Sequence, residues 1–311
     1  MQILLSGLAT GAVYGLVAMG FAVAFYVTSV INFAQGQLLM AAIMVAAAVA
    51  QAGLPTGLGI VAGLAAAAVL GGLIYLLAVR PVLSVSRFTG GGSSSRAGTV
   101  AWLVSTLGVA TILEAGAALI WGPTSHGFPV MLNSEPVHLL GAVVSWQQIL
   151  AIIVAVAVVA AFELFRRRTL YGKLGMAIAA DPEMAASVGA NTRNVAIAAF
   201  ALAGLLAGIG GILIGPITYA NPYLGETFGI NGFVALMIGG IRRPAGAMVG
   251  GLVLGVLSQL ANTEINSQAS DWFPFLIVVV VLLVTPTGLL DAARWLRWPG
   301  RRPLARAAGP S

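Results

Sequence analysis

The chain has 311 residues, of which 59% are apolar and only 8% charged, with a mean hydropathy of +0.99. A soluble domain clothes its surface with roughly 25% charged residues, so a soluble globular fold is excluded and the outer surface must meet hydrocarbon. The net charge of +6 sits in basic residues flanking apolar runs, the pattern of membrane proteins rather than of nucleic-acid binders, and the lack of cysteine removes disulfides, thiolate metal sites and cysteine nucleophiles.

The apolar runs are each about 20 residues long, enough to cross a bilayer as a helix, and too long and continuous for the alternating strands of a barrel. The expected fold is all-α, a polytopic transmembrane bundle of about 8–10 spans in a single domain over 1–311. In chain order the spans fall at 3–29, 37–52, 58–79, 99–121, 147–165, 194–216, 228–241, 246–262 and 273–290. Met1 to Val30 has no basic leading region and no small-residue cleavage site, so it is expected to be a retained span rather than a removed signal peptide.

The first break, Ile31 to Gln37, is polar, short and uncharged, either a turn or an interruption within one embedded unit. Its Asn32, Gln35 and Gln37 would either line a route or cap helix ends. Arg80, Arg87 and Arg96 share the loop before the fourth span. That span carries Glu114, a carboxylate that costs a few kcal/mol in the membrane unless it faces protein or water, hence a pathway residue or a hydrogen-bonded packing group. His126 and His138 lie in the next polar loop and are expected to be solvated; two such residues make no metal site. The stretch Thr218 to Gly232 again interrupts an apolar region, and its Asn221, Tyr223 and Glu226 would form an outer gate or seat a partner. Short, Gly/Pro-interrupted segments in both halves of a transporter point to its substrate route, and an inverted repeat is plausible.

Charge placement orients these spans. Arg80, Arg87 and Arg96, then Arg166 to Arg168 with Lys173 and Arg193, then Arg242 and Arg243, then the basic tail 295–311 all fall on one side by span count. Glu135, Glu226, Glu264 and Asp271 fall on the other. Basic loops face the cytoplasm, which places the N-terminus outside and the C-terminus inside. Glycines at four-residue spacing (Gly7, Gly11, Gly15; Gly204, Gly208; Gly251, Gly255) form small-residue grooves for close helix packing.

The cytoplasmic segment 166–194 is too long for a turn. Asp181 is a good helix N-cap, Pro182 suits the first helical position, Glu183 favours the positive end of the helix, and Gly189 can close it. The helix between them carries Met184, Ala185, Ala186 and Val188, expected as an exposed apolar face for a partner groove; Gly175 to Ala180 leads into it.

The pattern Glu183-x-Ala185-Ala186-x-x-Gly189 resembles the ATPase-contacting loop of ABC importer permeases, with Met184 inserted. INFAQG (31–36), LYGKLGMAIAADPEMAASVGANT (170–192), NPYLG (221–225), the glycine-rich run from Ile238 to Gly255 and PTGLL (286–290) resemble, in collinear order, the branched-chain amino-acid ABC importer permease family of the LivH type. Two positions depart from it: Gln35 and Gln37 stand where members often carry His and Glu, and Arg242 and Arg243 replace small residues. The resemblance implies a bacterial inner-membrane permease for branched-chain amino acids or a related small polar solute. It also implies a second, LivM-like permease, two ABC ATPases and an extracytoplasmic solute-binding protein as partners, with Gly175, Asp181, Pro182, Glu183, Ala185, Ala186 and Gly189 coupling to the ATPase. The chain has no P-loop, so this chain is expected to bind no cofactor, with ATP and Mg²⁺ in the partner subunits, and no base–nucleophile pair suggests an enzyme. The competing expectation, an ion-coupled secondary transporter or channel, calls for several midplane carboxylates where this chain offers Glu114.

Overall fold

A helix that is apolar on every face has no side to present to water and is stable only when surrounded. α1 (Gln2–Thr28) is such a helix, and in the computed structural model it is buried on all sides from Gly11 to Ala24. The structure describes residues 2–88, 96–128, 137–139, 142–187, 189–241, 243–264 and 269–284; the basic tail, PTGLL and Glu135 lie outside them.

Around α1 stand α2 (Gln35–Gln51), α3 (Thr56–Ile74), α4 (Arg80–Phe88), α5 (Arg96–Trp121), α6 (Trp146–Arg168), α7 (Leu170–Ala180), α8 (Pro182–Ser187), α9 (Thr192–Thr218), α10 (Leu224–Gly239), α11 (Pro244–Glu264) and α12 (Ala269–Val284). A π-helical turn, Tyr75–Val79, joins α3 to α4 without a break, so Arg80 and Arg87 continue a helix rather than sit in a loop. A three-residue hairpin, β1 (Val137–Leu139) with β2 (Ala142–Val144), is the one departure from helix among the described residues apart from connecting turns. Six described helices are long and apolar enough to cross a membrane: 2–28, 56–84, 100–121, 146–168, 192–218 and 244–264.

Local chemistry sets several starts. Ser145 and Gln148 close a capping box on α6, Thr169 accepts from Gly172 N–H (3.0 Å) at α7, and Asn191 accepts from Asn194 N–H (3.1 Å) at α9. The glycine grooves act as close-approach seams. A side chain on Gly11 would run into the α11 backbone at Gly251 and Leu252, and one on Gly71 into the α9 carbonyl of Phe200.

These seams expose a repeat that the sequence only hinted at. α1 and α9 are both 27 residues long, and each is followed by a non-glycine residue with left-handed backbone, Ser29 (φ 56°) and Tyr219 (φ 63°). Each then leads, through a short break, into a helix of 17 or 16 residues, α2 or α10. α1 packs on α11 as α9 packs on α3, and α2 pairs with α3 as α10 pairs with α11. α1 and α9 cross antiparallel, Val13 against Gly210 and Gly20 against Ala203, so α1–α3 and α9–α11 are inverted copies.

Gly11→Leu is expected to force α1 from α11 and cost about 1–3 kcal/mol as an overpacked core does. Gly108→Leu, where an added side chain meets open space, should leave stability unchanged. Thermal unfolding of both variants in detergent measures the difference.

Candidate functional site

Both short helices of the repeat begin within the length of the long helices, the start of α2 buried and that of α10 partly exposed at Tyr223 and Glu226. Gln35, the first residue of α2, donates from Nε2 to the Ala203 carbonyl of α9 (2.8 Å) and lies against Gly20 of α1. Those contacts are eight and eleven residues from the nearer ends of α1 and α9. On α10, Phe228 packs on Tyr14 (ring centroids 5.5 Å apart), and Asn231 Nδ2 donates to the Tyr14 hydroxyl (3.3 Å). The two helices meet near their starts: Gly36 rests against Gly225 and Gly229, where any side chain would strike backbone. Neither helix has a side-chain cap. Their positive dipole ends therefore converge within the span of the long helices.

The polar residues of the first break are buried. Asn32 and Gln35 are fully enclosed, and Asn32 Oδ1 accepts from Ala34 N–H (3.2 Å), which turns the chain into α2. Gln37 reaches outward, its Nε2 donating to Glu114 Oε2 on α5 (3.0 Å), and Glu114 is half-buried. Gly225 makes room for the Gln37 amide. Asn32 Nδ2, Gln35 Oε1, Gln37 Oε1 and Asn231 Oδ1 are buried without a hydrogen-bond partner in the protein. Unmade polar bonds of this kind cost about 1–3 kcal/mol each unless something else satisfies them. Tyr14 lies outside both breaks, its signal a lone polar group inside an otherwise apolar run, while Asn231 falls at the end of the second break, Thr218 to Gly232.

Asn221, Tyr223 and Glu226 are not brought to this cluster. Asn221 donates to Ser125 Oγ (3.0 Å) and accepts from Tyr223 N–H (2.8 Å), while Tyr223 and Glu226 are exposed. Glu226 falls in the first turn of α10 rather than in a loop, where an acid favours the helix dipole. The loop residue His126 is half-buried. Its backbone exchanges two hydrogen bonds with Ala220 (2.7 and 2.9 Å) and its Nε2 meets the Trp121 carbonyl (2.7 Å), because the connection after α5 must be tied to the break after α9.

At the opposite end, α6, α7, α8, the start of α9 and the start of α11 gather the basic residues. Arg166 and Arg167 both bind Glu163, Arg166 through two guanidinium nitrogens (3.0 and 2.7 Å). Gly175 to Ala180 forms the second half of α7, and a side chain at Gly175 would meet open space. Asp181 Oδ1 accepts from Met184 N–H (2.9 Å), capping α8, which begins at Pro182 and carries Glu183. Gly189 (φ 90°) closes α8, with Gly189 N–H on Ala186 O and Ala190 N–H on Ala185 O (3.0 Å each), a Schellman arrangement. Of the expected exposed face, Val188 lies outside the described residues and one described residue differs: Ala185 is 4% exposed and turned into the bundle, while Met184 (67%) and Ala186 face out. With six residues α8 makes under two turns, so one of its neighbouring alanines must point inward. Leu170 (82%) and Tyr171 (74%), at the start of α7, are exposed as well.

The sequence profile of the family described as "Branched-chain amino acid transport system / permease component" matches residues 3–285. The chain is 29% identical over 305 residues to the high-affinity branched-chain amino acid transport system permease protein LivH of Escherichia coli K12, covering 93% of this chain and 95% of that one. It is 30% identical to the corresponding permease protein BraD of Pseudomonas aeruginosa over the same shares of each chain. The fructose import permease protein FrcC of Rhizobium meliloti is 29% identical over 123 residues, 37% of this chain and 34% of that protein.

Gly225→Ala is expected to push the Gln37 amide out of place and lower thermal stability by about 1–3 kcal/mol. Adding Gln37→Ala should restore most of it, measured as a double-mutant cycle of melting temperatures.

Proposed function

The chain belongs to the family of branched-chain amino acid transport system permease components, and we propose that it carries branched-chain amino acids as one half of an ATP-driven importer. It is a permease, a translocation-pathway subunit of a multi-pass membrane protein assembly, and its relatives are permease subunits rather than enzymes. The end-to-end match to LivH and BraD carries the solute assignment, since the fructose permease shares little more than a third of the chain.

In this proposal the basic end faces the cytoplasm of a bacterial inner membrane, so α1 starts outside and the C-terminus lies inside. The gathering of Arg80, Arg166–Arg168, Lys173, Arg193 and Arg243 at one end of the bundle supports it. The shorter helices α2, α10 and α12 complete a count of about nine spans. The working assembly pairs this chain with a second permease of similar kind, two ABC ATPases holding ATP and Mg²⁺, and an extracytoplasmic binding protein. α7 and α8 dock the ATPase through Met184 and Ala186, with Gly175, Asp181, Pro182, Glu183 and Gly189 shaping the element and Ala185 anchoring it. Asn32, Gln35, Gln37 and Glu114 form the polar centre of the pathway. The α2 and α10 starts favour a carboxylate and Glu114 an ammonium, the two charges of an amino acid. Asn221, Tyr223 and Glu226 form the outer approach.

Reconstitution with the partner ATPases and binding protein should give leucine uptake that requires ATP. Uptake by this chain alone on an ion gradient would refute the assignment. Glu114→Gln is expected to leave expression intact and slow that uptake; an unchanged rate would return Glu114 to a packing role. Ala186→Asp should abolish co-purification of the ATPase while membrane insertion persists, whereas Ala185→Asp, with a buried charge, should lower the amount of folded protein itself.

A further inference from the structure

Beside the docking element lies a cavity of about 340 Å³ that neither the translocation route nor the helix packing uses. Its walls are apolar and come from membrane-spanning helices: Val23 and Val27 of α1, Phe162 of α6, Ala198 and Leu202 of α9. Arg166, Tyr171 and Gly172, around the turn from α6 to α7, complete its lining. Gly172 has no room for a side chain, because Arg166 and Phe165 backbone press on it, so the turn from α6 to α7 holds the cavity's edge in a fixed shape.

The charge around this turn is unbalanced. Glu163 is shared by Arg166 and Arg167, which leaves that trio positive. Arg168, and Lys173 and Arg193 beside the lining residues Gly172 and Asn194 in the chain, are all exposed. An apolar slot between helices long enough to span a membrane, lined by Arg166 and with Arg168, Lys173 and Arg193 close by in the chain, matches one occupant: an acyl chain of an anionic phospholipid, its phosphate among these cations. A zwitterionic lipid would fill the slot and leave the cations uncompensated. We propose that the α1/α6/α9 groove binds an anionic phospholipid, which wedges the start of α7 against the spanning helices and thereby sets the position of α8.

The chain has no cysteine, so with partner subunits made cysteine-free a single introduced thiol is a clean probe. Phe165→Cys on the groove wall, labelled with bimane in the full transporter and reconstituted in nanodiscs, reports brominated lipids by quenching. Brominated phosphatidylglycerol should quench more strongly than brominated phosphatidylcholine at equal mole fraction. Lys173→Gln and Arg193→Gln should each reduce that preference by up to about fivefold, the worth of one basic residue near an anionic surface. Ala198→Trp, which fills the slot from an exposed position, should remove the excess quenching. Equal quenching by the two lipids, a preference untouched by both charge variants, or cross-linking of residue 165 to a second protein chain would each overturn the proposal. The charge variants are on the surface, so they decide the matter even if Ala198→Trp fails to fold.

Discussion

A helix that starts inside a bilayer leaves its first-turn N–H groups in a medium that cannot hydrogen-bond them, so such a start survives only when protein surrounds it. α2 starts this way, buried from its first residue, with α10 starting against it at Gly225, and much of the molecule is arranged around that requirement. α1 and α9 are long and buried because they wall in the two starts. Gln35 spends its amide on the α9 backbone, fastening α2 to the helix that shields it. Asn32 and Asn221 each accept a backbone N–H two residues on, turning the chain into the short helices where no cap is available.

The same requirement explains the glycines. Walls of bulky residues would hold the starts apart and open a void, and lipid supplies no hydrophobic force to close it. Small residues bring backbone against backbone, as at Gly11 with α11 and Gly36 with Gly225, and van der Waals contact replaces the missing drive. A cluster of partly unbonded amides then sits between two glycine seams.

Much of this was legible from residues alone. Hydropathy placed a helix at every expected span, and the basic groups did gather at one end where they are described. Asp181 and Gly189 bounded α8 as their chemistry dictates, because caps are local. What stayed hidden is facing. An amphipathic helix declares its inner side, but helices apolar all round do not, so nothing marked α1 as central. The same holds for contacts between distant positions: Gln37 with Glu114 are 77 residues apart, and Asn221 with Ser125 are 96. Ala185 and Ala186 are identical in composition and opposite in role, a difference only the helix rotation decides. The repeat was hidden because glycine seams constrain size and not identity, so its halves need share no sequence.

Ser29 and Tyr219 give the repeat a mechanical meaning. Left-handed backbone in a non-glycine residue is held by its surroundings rather than by its own preference. The two sit at matching joints of oppositely directed halves. If one joint relaxes toward the ordinary region while the other stays bent, the half-helix beyond it tilts on one side of the membrane only. The fold thus places one conformationally constrained joint in each of its two inverted halves.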